Sequence, residues 1–327
     1  MKVADPFLRR LLDRLGASLA EFGIDRRAAV VAAHSGGVDS TALLWLLCRL
    51  PRHRRPAIEA VCVDHGLRPE SSRDARRAVE IARSLGVPAR AVRVECGREG
   101  GIEAGARRAR YAALANVAAG RPILTAHTAD DQAETVLYRL AKGAGRRGLG
   151  GIRPQARVEG GRILRPLLGT RRCELEEVIR RAGLEVVEDP TNAASVFVRN
   201  RIRREILPGL EAVVPGATAA LARAAALARD DEAYLARRAG RMREALRHAG
   251  GGVDARRLAR LPRALASRIV RSLAAEVGQT PSAVQVEAIL GILCGGGEVR
   301  LSDAWVARCH DGRLAFEHLP RERRIGV

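Results

Sequence analysis

Ser35-Gly36-Gly37-Val38-Asp39-Ser40 is the segment of this 327-residue chain with the densest chemistry. Two adjacent glycines let the backbone pass close to a phosphate, and successive N–H groups opening a helix form an anion cradle. Ser35 and Ser40 add hydroxyl donors. The start of a helix is electropositive, so Asp39 is tolerated there and can hold a Mg²⁺ on the phosphates. The spacing is not GxxxxGK[ST], so this is no Walker A loop. It is not GxGxxG either, and hydride chemistry loses its main support. A bare Gly-Gly would read as a tight strand-to-helix turn; the flanking serines and aspartate favour phosphate binding.

Such a loop works only if a strand leads into it and a helix leads away. Residues 28–34 form a short apolar run ending at the glycines, which reads as a buried strand, and 41–50 has helical apolar content. Strands are expected again at 57–64, 89–95 and 122–126. Helices are expected at 72–85, with Ala75, Ala78, Val79, Ala82 and Leu85 on one face, and at 131–140. A third, at 102–119, should bury a stripe through Ala106, Ala109, Ala113 and Val117. This alternation predicts an α/β fold with a mostly parallel, doubly wound sheet. Ligands of such sheets bind beyond the carboxyl ends of the strands. The polar residues just after the strands, 34–40, 64–68 and 127–134, should therefore share one crevice.

Further along, 146–162 is rich in Gly and Arg without clear periodicity and reads as a mobile or ligand-covering loop. Helices follow at 173–182 and 196–207. A long amphipathic helix is expected at 217–249, and a helical stretch broken near Pro262 at 254–277. Thr280-Pro281 reads as a helix start. Asp311-Gly312 lies between two short alternating runs and predicts a terminal β-hairpin. A boundary near Pro215-Gly216 gives a domain of residues 1–215 and a smaller, mainly helical one of 216–327 ending in that hairpin.

Composition narrows the function classes. The chain carries 57 Lys+Arg against 37 Asp+Glu, a formal net charge of +20. Only Lys2 and Lys142 are lysines. Codon bias accounts for arginine over lysine, not for the surplus, which favours a polyanionic partner. Aromatics are only 3%, so base stacking is not the main binding device. No apolar run approaches the ~20 residues of a membrane span, and residues 1–10 are too polar for a signal peptide. Cys48, Cys62, Cys96, Cys173, Cys294 and Cys309 are too scattered for a zinc ribbon or a local iron–sulfur motif. Six reduced thiols and a cytoplasmic location are expected.

SGGVDS resembles the PP-loop of the N-type ATP pyrophosphatases, which cleave ATP to AMP and pyrophosphate and adenylate a substrate. Val63-Asp64-His65-Gly66-Leu67-Arg68, the Glu103 to Tyr111 run EAGARRARY, and Thr125-Ala126-His127 leading into Asp130-Asp131-Gln132-Ala133-Glu134-Thr135 extend the likeness. So do Arg165-Pro166-Leu167-Leu168, Asp189-Pro190-Thr191-Asn192 and Arg199-Asn200-Arg201-Ile202-Arg203. Over 25–210 the set is similar to the tRNA(Ile)-lysidine synthetase branch. The resemblance implies an adenine-nucleotide α-hydrolase-like fold. It also implies a carbon–nitrogen ligase acting on tRNA: ATP adenylates the wobble cytidine of an isoleucine tRNA bearing CAU, and L-lysine then displaces AMP.

On that resemblance Ser35, Gly36, Gly37, Val38, Asp39 and Ser40 bind ATP, with His65 and His127 beside it. Asp39 and Asp131 would share Mg²⁺. Glu134 would bind the lysine ammonium or accept its proton. Arg107 and Arg199 would stabilise developing phosphoryl charge, Arg110, Arg201, Arg203 and Arg204 would contact tRNA, and 1–215 would be the catalytic domain with 216–327 as an accessory tRNA-binding domain. The branch usually has His-His where this chain has His127-Thr128, so Thr128 receives no catalytic role. It often has an acid where this chain has Ala194. Competing readings are tRNA thiolation, with Cys96 and Cys173 as a pair, an NAD synthetase-type amidation, and a non-catalytic RNA-binding protein with a vestigial nucleotide site. Oligomeric state is left open, a homodimer included.

Overall fold

The computed structural model describes residues 5–66, 70–94, 102–158, 160–187 and 198–319. Leu67, Arg68, Cys96, the Asp189-Pro190-Thr191-Asn192 stretch and Ala194 lie outside them. The chain divides into two compact units, 1–228 and 229–327.

The first unit opens with helix α1 (Pro6–Glu21), which the sequence reading passed over. Asp5 caps it by accepting from the Phe7 N–H at 2.9 Å, and Pro6 takes its first turn. Leu8, Leu11, Leu12, Leu15 and Leu19 recur at helical spacing and are all buried. They share a core with Leu43, Trp45, Leu46 and Leu47 of helix α2 (Val38–Arg49).

The sheet is built from β1 (Ala29–Ala33), β2 (Ala57–Asp64), β3 (Ala89–Arg93), β4 (Ile123–Leu124), β5 (Gln155–Val158) and β6 (Gly161–Leu164). Its order is β3-β2-β1-β4-β6-β5, and every pairing is parallel except β5 with β6. Helices α3 (Ser71–Ser84), α4 (Ile102–Ala118) and α5 (Ala129–Ala141) join successive strands. The chain moves outward from β1 through β2 to β3, then returns to β1's other side at β4. That reversal opens a crevice at the carboxyl ends of β1 and β4.

Two expectations need correction here. Residues 146–162 are not a loop: they hold helix α6 (Arg146–Leu149) and a hairpin, β5–β6, whose second strand extends the parallel sheet beyond β4. The buried face of α4 is centred on Tyr111, Leu114, Ala115 and Ala118; of the expected stripe, Ala113 is buried and Val117 packs against this face, while Ala106 and Ala109 are only half-buried. In an alanine-rich helix several stripes look apolar, and the larger side chains take the sheet because they bury more area.

Helix α7 (Arg172–Ala182) ends at Gly183 in the left-handed region, φ 60°. Helix α8 (Val198–Arg201) runs through a π-helical turn (Ile202–Ile206) into α9 (Leu207–Val213). In the second unit, helix α10 (Ala217–Ala245, from Arg229 onward), α11 (Ala255–Ala259), α12 (Arg263–Glu276) and α13 (Ala283–Gly291) pack with a small antiparallel sheet. Its strands are β7 (Val253–Asp254), β8 (Gly297–Arg300), β9 (Trp305–His310) and β10 (Arg313–His318), in the order β7-β10-β9-β8. Ile269, Val270, Ile289, Ala307 and Leu314 form its core. Asp311 and Gly312, at φ 49° and 74°, make the expected hairpin turn. The cap of α13 is Ser282, in a reciprocal box with Gln285, and not Thr280.

Candidate active site

Residues from all three polar groups, His34–Ser40 apart from Gly36, Asp64 and His65, and His127 and Asp131, line one cleft of ≈ 570 Å³ in the first unit, together with Arg110, Tyr111, Arg172, Val187 and Arg203. Its floor is the loop between β1 and α2. Gly36 sits at φ +81°, and a Cβ there would lie 2.6 Å from Val187 Cγ2, so only glycine fits. The Val187 N–H donates to Gly36 O at 2.9 Å. Thr41 Oγ1 donates to the same oxygen at 2.9 Å, and Ser40 Oγ donates to Gly37 O at 3.0 Å. The turn is thus held from inside. The α2 cap is Gly37, with no side-chain hydrogen bond closing the end. The first N–H groups of α2 are open to an anion.

Asp39 on this end and Asp131 share the cleft, and Glu134 is tied to Asp131 through Arg203. Asp39 is held 3.4 Å from Arg172 through Oδ2, while its Oδ1 is buried with no partner among the described residues. Burial raises its pKa to about 6, against the pull of Arg172 and with a further push from Asp131. Asp131 Oδ1 accepts from Arg203 at 2.9 Å; its Oδ2 accepts from the Thr128 N–H at 2.8 Å and from Thr128 Oγ1 at 3.0 Å. Glu134, one turn on, is buried and bonded to Arg203, and burial pushes its carboxyl up. The neighbouring Asp130 is used structurally: it accepts from the Arg172 N–H at 2.7 Å and pairs with Arg171 at 3.3 Å.

Also in the lining, His127 shares a hydrogen bond with Thr125 Oγ1 at 2.9 Å. Burial lowers its pKa to about 3, so the ring is neutral. His65 lines the cleft beside Asp64, whose carboxylate accepts from Ser72 Oγ at 2.6 Å and from the Gly66 N–H at 2.9 Å. Arg110 lines the cleft with its guanidinium 5.4 Å from the Tyr111 ring centroid. Arg107 lies over the same ring at 4.9 Å but is exposed and outside the lining. Among the described residues no group of three His, Cys, Asp or Glu is arranged to hold a metal ion.

Comparison with known proteins adds to this geometry. Residues 9–210 match the PP-loop domain family, and 254–315 match the TilS substrate binding domain. The tRNA(Ile)-lysidine synthase of Nocardia farcinica is 42% identical over 93% of this chain and 96% of its own length. That of Thermobifida fusca is 38% identical over 87% and 90%. That of Pseudomonas aeruginosa is 47% identical over 62% of this chain, which spans 47% of its length. This chain belongs to the tRNA(Ile)-lysidine synthase family.

Among solved structures, the U34-tRNA thiolase NcsA of Methanococcus maripaludis with its [4Fe-4S] cluster has a TM-score of 0.55 at 17% identity, covering 67% of this chain and 78% of that one. At that identity it shows the shared fold alone. The lysidine synthase relatives favour neither the thiolation nor the vestigial-site reading. Thr128, where the resemblance led to an expected histidine, has a structural job: it is the N-cap of α5, in a reciprocal box with Asp131. The serine–glycine loop, Asp39, His65, His127, Asp131 and Arg110 are brought together in the cleft, with Glu134 reaching it through Arg203. Arg199 lies 6.0 Å from the Tyr138 ring, Arg201 pairs with Glu205 at 3.2 Å, and Arg204 is exposed; none lines the cleft. Arg172 was missed by the sequence reading. It stands in an arginine-rich helix start, and only its packing against Asp39 separates it from surface arginines.

Proposed function

We propose that this chain joins L-lysine to the wobble cytidine of an isoleucine tRNA bearing a CAU anticodon, at the expense of ATP, and does so in the cytoplasm with its thiols reduced. The observation that carries the reading is the open helix end at Gly37–Ser40, bearing Asp39, in one cleft with Asp131, behind which Arg203 links Asp131 to Glu134.

In the first step the cytidine carbonyl oxygen attacks the α-phosphorus and pyrophosphate leaves. The α2 N–H groups, with Ser35 and Ser40, bind the phosphates. Arg172 turns from Asp39 to the departing pyrophosphate, and Arg110 serves the adenylated side. Mg²⁺ fits this donor set, since Asp39 offers a buried, unpartnered carboxylate oxygen, with Asp131 opposite; when bound, it supplies charge neutralisation at the phosphates. Neutral His127 and His65 sit beside the nucleotide without adding charge.

In the second step the lysine amine attacks the activated carbon and the bond to AMP breaks. Arg203 already places one cation between Asp131 and Glu134, so this acid pair holds a cation, and the lysine ammonium would take that place as Arg203 swings aside. We therefore assign Arg203 to ordering these acids rather than to the tRNA backbone. Glu134, its carboxyl pushed up by burial, is suited to take the proton the amine loses. Arg107 and Arg199 remain candidates for charge stabilisation once tRNA is bound, and Arg201 and Arg204 for its backbone.

The test is incorporation of labelled lysine into matched isoleucine and methionine tRNAs, each bearing CAU. Lysine in the isoleucine tRNA with AMP released is the expected result. ATP binding with no lysine incorporated rules the assignment out.

A further inference from the structure

Helix α10 carries a second set of residues suited to nucleic acid, well away from the glycine loop in sequence. Tyr234, Arg237, Arg238 and Arg241 occupy positions i, i+3, i+4 and i+7 and so share one helix face. All lie in the second unit. Tyr234 is 56% exposed, and the three arginines are exposed as well. None of the three has a carboxylate partner among the described residues. Two other nearby arginines are paired: Arg243 of the same helix contacts Glu276 at 2.5 Å and Glu244 at 3.2 Å, and Arg247, just past the helix end, contacts Glu244 at 3.6 Å. Glu244, one turn beyond Arg241, is thus already committed to them.

A solvated surface would not favour this arrangement. Like charges at i,i+3 and i,i+4 repel by a few tenths of a kcal/mol per pair. The helix macrodipole does not account for it either, because its effect fades within the last turn, and the arginines precede that turn. An exposed tyrosine beside three uncompensated guanidinium groups has the chemistry of a phosphate-tracking face with a ring for a sugar or an unpaired base. The face lies between the two matched segments, 9–210 and 254–315, so neither family description covers it.

We infer that this face of α10 is an RNA-contact surface that grips the tRNA phosphate backbone through Arg237, Arg238 and Arg241, with Tyr234 packed on a ribose or an unpaired base. The inference rests on the tRNA reading above and extends it to a helix outside the nucleotide cleft. The occupant is RNA because the face carries three arginines against one acid, Asp230 one turn before Tyr234, and the chain's net charge is +20.

The experiment uses the full chain and an isoleucine tRNA transcript, with Kd measured across a salt series. The variant R237A/R238A/R241A should bind tRNA roughly tenfold more weakly near 0.1 M salt. Its plot of log affinity against log salt should be shallower by about 2, as expected for three lost phosphate contacts. Y234A should weaken binding several-fold with an unchanged slope, because a ring contact releases no counterions. ATP affinity should be unchanged in both. Alanine is the best helix former, so the helix persists, and circular dichroism checks it. Unchanged tRNA affinity and slope in the triple variant overturn the inference while the tRNA reading stands, and leave the face to an acidic protein. A wild-type chain that does not bind the transcript overturns both.

Discussion

Asp39 shows how one side chain couples stability to chemistry. An unfolded aspartate ionises near 4; burial moves this one to about 6. Between those values the native state binds more protons than the unfolded chain, so stability falls as pH rises through the window. The ionised form is the one that serves phosphate chemistry, so kcat/KM should rise through the same window with a midpoint near 6. Asp39→Asn should abolish turnover, yet at pH 7 it should melt higher than wild type, by roughly 1–3 kcal/mol. A lower melting point there would show that the charge stabilises the fold. Gly36 makes the complementary point, since its backbone rather than its side chain is what matters. Gly36→Ala combines a positive φ with a 2.6 Å clash, so ATP affinity should collapse along with roughly 1–3 kcal/mol of stability, read by calorimetry and urea melts. Near-normal ATP binding would mean that the turn yields easily.

At the scale of elements, the site is assembled from helix starts. The α2 start is left open for an anion, and the α5 start is closed by Thr128 and Asp131. Thr128→Ala should cost about 1 kcal/mol in chemical denaturation. It should also lower turnover, because Asp131 Oδ2 loses its bond from Thr128 Oγ1 and keeps only the one from the backbone N–H. Helix α7 presents Arg172 to Asp39 while its backbone N–H holds Asp130. Arg172→Gln should weaken pyrophosphate binding about tenfold and leave AMP binding unchanged, measured by titration calorimetry; equal losses for both ligands would assign Arg172 to a general structural role.

The molecule as a whole is strongly basic, and most of its visible ion pairs are exposed arginine–carboxylate contacts worth little each. The excess positive charge is better understood as a field for a polyanion than as a source of stability. Wild-type tRNA binding should weaken more than tenfold between about 0.05 and 0.2 M salt. A flat response would leave the net charge of +20 without a partner.

The strand–helix alternation, the glycine loop and the Asp-Gly hairpin were legible because each rests on local spacing or backbone chemistry that a sequence displays directly. The leucine spacing of α1 is equally plain in the sequence. The β5–β6 hairpin was hidden because a four-residue strand gains its stability from neighbours, here β4, and so leaves little periodicity of its own. The acids of the cleft could be named in advance. That Arg203 lies between Asp131 and Glu134, that Arg172 neutralises Asp39, and that Arg107 stays outside the lining could not. In a chain so rich in arginine, residue type cannot say which guanidinium meets which carboxylate; only distance in the folded state decides that.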